Sequence, residues 1–164
     1  MKVLISVASK HGATDGIGRA IGDRLRAEHI EVDVIPPGAE PKLESYDAVV
    51  IGSAVYMGRW LGDGRDFVTA NAELLSKVPV WLFSSGPITD KVDPADSADG
   101  DELLATVHGR EHKLFAGRLD KNGLGWTERA IVRMVNSPWG DYRPWDEINA
   151  WADSIARDLT AVPA

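Results

Sequence analysis

The chain reads as a doubly wound α/β domain: a five-stranded parallel sheet in the order 2-1-3-4-5, sandwiched between two layers of helices. Three observations lead there. Short runs of nearly continuous apolar residues recur along the chain, as expected of strands buried on both faces. Segments with four-residue apolar spacing separate them, so βαβ units follow. Finally, the segments just after the first, third and fourth strands are all rich in Gly, Ser, aromatic or soft apolar residues. In such a sheet a ligand sits outside the carboxyl ends of the strands, where the strand order reverses.

Lys2–Ala8 is the first strand. Ile17, Ile21 and Leu25 predict a helix from about Ala13 to about Glu28, and Ile30–Ile35 is a β-branched strand stopped by Pro36-Pro37-Gly38. Tyr46–Gly52 is a third strand, followed by a loop over Ser53–Gly64 and a helix carrying Val68, Ala72 and Leu75. Pro79–Ser84 is the fourth strand. Asp90–Glu102 holds six acids and one Lys, a local balance of −5, and reads as an exposed loop and helix start. Leu103–His108 is a short helix and Lys113–Gly117 the fifth strand. Trp126, Ala130, Ile131 and Met134 mark a helix, Ser137–Pro144 an irregular stretch, and Ile148, Trp151, Ala152, Ile155 and Leu159 the clearest amphipathic helix. Gly18 and Gly22 each cost the first helix about 1 kcal/mol against Ala, a cost expected where a helix must approach its sheet closely.

The 164 residues suit a single domain, 1–164, with an ordinary soluble composition of 44% hydrophobic and 26% charged residues. A net charge of −7 argues against nucleic acid as the main partner. The absence of cysteine removes disulfides, thiolate catalysis and iron–sulfur clusters. Met1-Lys2 leads directly into a strand, no apolar run is long enough to span a bilayer, and a cytoplasmic location is expected, with peripheral membrane contact still open.

Ser9, Lys10, His11, Gly12, Ala13 and Thr14 form a polar turn between the first strand and the first helix. Unpaired N–H groups, two hydroxyls and the positive end of a helix dipole converge in such a turn, and together they receive an anion. Ser9 and Thr14 also read as ordinary helix caps. The pattern hydroxyl-x-x-Gly-x-Thr resembles the phosphate loop of the flavodoxins. The segment Y46-D-A-V-V-I-G-S-A-V-Y-M-G-R-W60 is similar to the flavin-ring loop of a flavodoxin-like family, the menaquinone-dependent protoporphyrinogen oxidases. F115-A-G-R-L-D120, W126-T-E-R-A-I-V-R-M134 and W145-D-E-I-N-A-W-A152 extend the resemblance along nearly the whole chain.

That resemblance implies a flavodoxin-like fold and FMN as cofactor. The phosphate would lie on residues 9–14. Ser53, Ala54, Val55, Tyr56, Met57 and Gly58, with Trp60, would face Ser84, Ser85, Gly86, Pro87 and Ile88 across the isoalloxazine, and Tyr56 or Trp60 would stack on it. It implies a small-molecule redox substrate, porphyrinogen-like, with a quinone as acceptor. A plain flavodoxin passing electrons between redox protein partners is the alternative, and a cofactor-free binding module another. Residues 110–133 carry six Lys or Arg against three acids, so Arg118, Arg129 and Arg133 are candidates to orient an anionic substrate. No catalytic acid–base residue is expected, since the flavin carries the chemistry, and no metal.

Two other patterns compete. H11-G-A-T-D-G-I-G18 resembles the NAD(P) turn of short-chain dehydrogenases, but no Tyr in the chain has Lys four residues on. H108-G-R-E-H112 fits the H-x-x-E-H metalloprotease pattern, yet that motif needs a helix, and here Gly109 and a strand intervene.

Overall fold

A computed structural model describes residues 1–86, 96, 98–119 and 140–161. Its element order is β1 (Lys2–Ala8), α1 (Ala13–Ala27), β2 (Glu31–Val34), two short 3-10 turns, β3 (Ala48–Tyr56), β4 (Arg59–Trp60), α2 (Gly62–Ala70), α3 (Ala72–Leu75), β5 (Val80–Ser85), α4 (Ala98–Thr106), β6 (Glu111–Phe115), β7 (Arg118–Leu119), β8 (Gly140–Asp141) and α5 (Trp145–Thr160). The five long strands are parallel in the order β2-β1-β3-β5-β6, which is the expected 2-1-3-4-5 arrangement. β4 is an addition: two residues paired antiparallel with the end of β3.

Alternation along the strands sorts the core into two layers. Val3, Ile5 and Val7 face α1 and α5, packing with Ile17, Ile21, Leu25, Ile148, Trp151 and Ile155. Leu4, Val49, Ile51 and Leu82 face the other way, against Phe67, Val68, Leu75 and Leu103 of the remaining helices and Val107 just after α4. The close approach expected of α1 is present, for a Cβ on Gly18 would stand 2.6 Å from the Val7 side chain. Asp15 in the first turn and Arg24 and Arg26 in the last complement the dipole of this helix. Arg24 also ties it to α5, its Nε donating to Asp153 Oδ1 at 2.9 Å.

Several boundaries differ from the sequence reading for local reasons. β3 continues four residues past Gly52, so Ser53–Tyr56 is strand rather than loop, because β5 pairs with Ser53 and Ala54 and β4 folds back to pair with Val55 and Tyr56. The single helix expected around Val68–Leu75 is two, since Asn71 turns its amide back on Phe67 O at 2.8 Å and ends α2. α4 begins at Ala98, inside the acidic stretch read as an exposed loop and helix start, and so five residues before the helix expected at Leu103–His108. β6 begins at Glu111, so His112 lies on a strand, and His108 at φ +52° precedes it; the H-x-x-E-H residues share no helix. Of the later tryptophans, Trp151 is core as expected, Trp145 is 38% exposed, and Trp126 and Trp139 lie outside the described residues. The helix expected around 126–134 lies outside them too.

Candidate functional site

Strand register brings the three expected segments together. Ala8 of β1 is paired with Ser53 of β3, Ser53 with Ser84 of β5, and Ser84 with Leu114 of β6. The turn after β1, the hairpin after Ser53 and the end of β5 therefore leave the sheet from one row, with neighbouring strands about 4.8 Å apart. α2 closes in behind this row: a Cβ on Gly64 would lie 3.2 Å from Ala8 and 3.3 Å from Ser53.

The turn after β1 is braced from within. Ser9 Oγ accepts the Gly12 N–H at 3.1 Å, and Gly12 takes φ +83°, a conformation suited to glycine. Gly12 is the N-cap of α1, and no side chain caps that helix end. A Cβ added at Gly12 would meet nothing within 4 Å, and the turn is open to solvent at this residue. Thr14 is buried in the first helical turn, while Lys10 is exposed and His11 and Ala13 are half-buried. A helix N-terminus without a protein cap, behind a glycine turn and two hydroxyl residues, has the donor set of a phosphate site.

Arg143 is a neighbour that sequence reasoning missed. Its side chain is 9% exposed, its Nη1 donates to Ala13 O at 3.3 Å, and its Nε and Nη2 donate to the two carboxylate oxygens of Asp141 at 2.9 and 2.7 Å. The guanidinium lies 4.5 Å from the centre of the Trp145 ring. This bidentate contact holds the Asp141 carboxyl below the ordinary carboxylate range. The D-x-R spacing just before an amphipathic helix was the available signal.

Between β3 and β4, Met57 (φ +52°) and Gly58 (φ +77°) form a two-residue turn with both central residues left-handed. Tyr56 is 46% exposed and Met57 fully exposed. Val55 is partly buried and Ala54 buried. Trp60 points the other way. It is 4% exposed, packs in the second core layer, and its Nε1 donates to Ser84 Oγ at 2.7 Å. Its indole therefore offers no free face for stacking. Ser53 is also fully buried, with its hydroxyl donating to Ala54 O and accepting from Leu61 N–H.

At the end of β5, Ser84 and Ser85 are buried and Gly86 takes φ +111°. Ser84 Oγ contacts His112 Nε2 at 2.7 Å, and His112 Nδ1 contacts Asp101 Oδ1 at 2.8 Å. Asp99 is buried; it accepts the Trp60 backbone N–H at 2.9 Å and pairs with Arg65 at 3.4 Å. Neither His112 nor Asp99 was singled out for a role in holding the hairpin. Arg118 is half-buried on β7, opposite Asp141 of β8. Pro87, Ile88, Arg129 and Arg133 lie outside the described residues.

A parallel sheet in this order, with an uncapped helix N-terminus after its first strand, defines a doubly wound α/β protein with its ligand edge at the carboxyl ends of the strands. The family match makes the class specific: residues 4–144 match the flavodoxin domain, and the chain belongs to that family. FMN is the cofactor that membership brings, and electron transfer the chemistry. The chain is 25% identical over 179 aligned positions to protoporphyrinogen IX dehydrogenase [quinone] of Escherichia coli strain K12, covering 99% of this chain and 98% of that one. The fold also superposes on a flavodoxin mutant from Pseudomonas aeruginosa with a TM-score of 0.67 at 16% identity, covering 98% of this chain and 100% of that one. For flavodoxin 1 of Bacillus cereus the TM-score is 0.63 at 16% identity, with the same coverage. Among the described residues, no helix is long and apolar enough to cross a membrane.

Proposed function

We propose that this protein is an FMN-dependent oxidoreductase that oxidises a porphyrinogen-like substrate and passes the electrons to a quinone. The observation that carries the cofactor half is the single row Ala8–Ser53–Ser84, which delivers an uncapped helix N-terminus and an exposed Tyr56–Met57 tip to one edge of the sheet. Full-length similarity to a quinone-linked protoporphyrinogen dehydrogenase supports the substrate half.

FMN supplies the electron or hydride transfer when bound. The backbone N–H groups opening α1, with the hydroxyls of Ser9 and Thr14, hold its phosphate. Tyr56 and Met57 take the ring-facing role. Trp60, Ser53 and Ser84 support that hairpin from beneath. Arg118 stands on the segment leaving β6, where it would attract a carboxylate-bearing substrate.

The FMN-loaded protein is mixed anaerobically with protoporphyrinogen and a soluble quinone, and porphyrin fluorescence is followed. Quinone-dependent porphyrin formation is the expected result. A protein that binds FMN and is reduced by a ferredoxin–flavodoxin-type reductase, yet leaves porphyrinogen untouched, is instead an electron carrier.

A further inference from the structure

Trp60, Ser84, His112 and Asp101 form an unbroken chain of hydrogen bonds across four elements, β4, β5, β6 and α4. Nε1 of Trp60 lies 2.7 Å from Ser84 Oγ, Ser84 Oγ 2.7 Å from His112 Nε2, and His112 Nδ1 2.8 Å from Asp101 Oδ1. By distance the last three match a Ser–His–Asp catalytic triad. Access decides against that use. Ser84 has no exposed surface and the His112 side chain is 2% exposed. The Trp60 N–H, moreover, occupies the serine oxygen from which a nucleophile would attack.

Donor chemistry sets the direction of the chain. An indole N–H only donates, and a carboxylate only accepts. Ser84 therefore accepts from Trp60 and donates to His112 Nε2, while His112 donates from Nδ1 to Asp101. Every polar hydrogen is used, which is what a buried polar chain requires to be stabilising. The first turn of α4 is the platform for it. Asp99 holds the Trp60 backbone N–H, Asp101 holds His112, and Gly100 lies between them so close to the imidazole that a Cβ there would stand 2.2 Å from Nε2. The acidic run Asp99-Gly100-Asp101 thus grips the hairpin twice, once by backbone and once through the indole.

We infer that Ser84 and His112 are positioning residues: they fix the Trp60 indole, and with it the β3–β4 hairpin, where Tyr56 and Met57 meet the flavin ring. This rests on the cofactor reading above. Ser84→Ala leaves two buried groups unpaired, the Trp60 N–H and His112 Nε2, whereas Trp60→Phe with Ser84→Ala leaves only the second. The double variant is therefore the less damaged of the two, an order that simple loss of packing would reverse.

The test has two arms, both using the full chain. In the ligand-free protein, hydrogen exchange is followed by mass spectrometry in the segment 54–61 and in α5. Ser84→Ala is expected to speed exchange in 54–61 by about tenfold to a hundredfold while leaving α5 unchanged, and adding Trp60→Phe to recover about tenfold of it, since about 1.4 kcal/mol for each of the two unpaired groups is tenfold. In the second arm FMN and riboflavin are titrated. Both are expected to bind more weakly by the same factor, because the ring and not the phosphate is affected. Gly100→Ala, which displaces the imidazole without touching Ser84, is expected to act the same way and serves if Ser84→Ala does not fold. Unchanged exchange in 54–61, or weakening of FMN alone, overturns the inference. A parent protein that binds neither ligand overturns the cofactor reading instead, and the exchange arm then decides whether the relay holds the hairpin.

Discussion

The guanidinium of Arg143 reaches the carbonyl oxygen of Ala13, 130 residues earlier, at 3.3 Å, and so joins the segment before α5 to the first turn of α1. The same guanidinium is clamped by Asp141 and rests on Trp145. One ion pair therefore fastens β8 to the first turn of α1.

That pair makes stability depend on acidity. Because Arg143 depresses the folded-state pKa of Asp141, the pair stabilises fully above the ordinary value of 3.8 and is lost as pH falls through the lower folded value. Asp141→Asn is expected to cost about 1 kcal/mol or less at pH 7, the carboxylate being partly solvated. Urea melts of parent and variant should converge as pH falls well below the ordinary value of 3.8 and diverge again at neutrality. A difference that persists undiminished at low pH would mean the carboxylate charge is not what Arg143 uses.

Ser9→Ala and Thr14→Ala separate the phosphate from the ring. Each hydrogen bond lost to a charged group is worth about 1.5–3 kcal/mol, so the double variant should weaken FMN by at least a hundredfold and riboflavin hardly at all. Parallel fluorescence titrations check this. Equal weakening of both ligands would put the phosphate elsewhere.

Gly52 lies beneath the Phe83 ring, where a Cβ would stand 2.1 Å from Cζ, while Gly38 has nothing within 4 Å of its own. Gly52→Ala must displace an aromatic that also packs against Phe115 and Trp151, and should cost about 1–3 kcal/mol or more. Gly38→Ala should stay within about 0.5 kcal/mol of the parent. Thermal melts of the two variants, compared side by side, test the packing of the first core layer.

The sheet order and the row of loops were legible in the sequence because both follow from the period of apolar residues and from where Gly and Ser interrupt it. β4 was not. Two residues carry too little pattern to read as a strand, and the left-handed turn before them is built from Met57-Gly58 rather than the more familiar Asn-Gly. Missing β4 led to an ambiguity that local composition cannot settle: Tyr56 and Trp60 both read as aromatics in a Gly-rich loop. Only the pairing of Val55 with Trp60 turns that indole inward, toward a serine 24 residues on. His112 was read within the short pattern H-x-x-E-H, whereas its partners come from β5 and α4, at distances in sequence that no motif spans.

The packing of α5 against α1 also has a temporal side. During synthesis at about 5–20 residues per second, α1 emerges on the order of ten seconds before α5. Until then Ile17 and Ile21 have β1 beneath them but lack Ile148, Trp151 and Ile155 at their flank. The opposite layer is built from neighbours in the chain, β3 with α2 and α3, and needs no such wait for most of its surface. A nascent chain halted before residue 145 would therefore carry one finished face and one sticky one. The first is ready to fold; the second is a natural landing place for a chaperone.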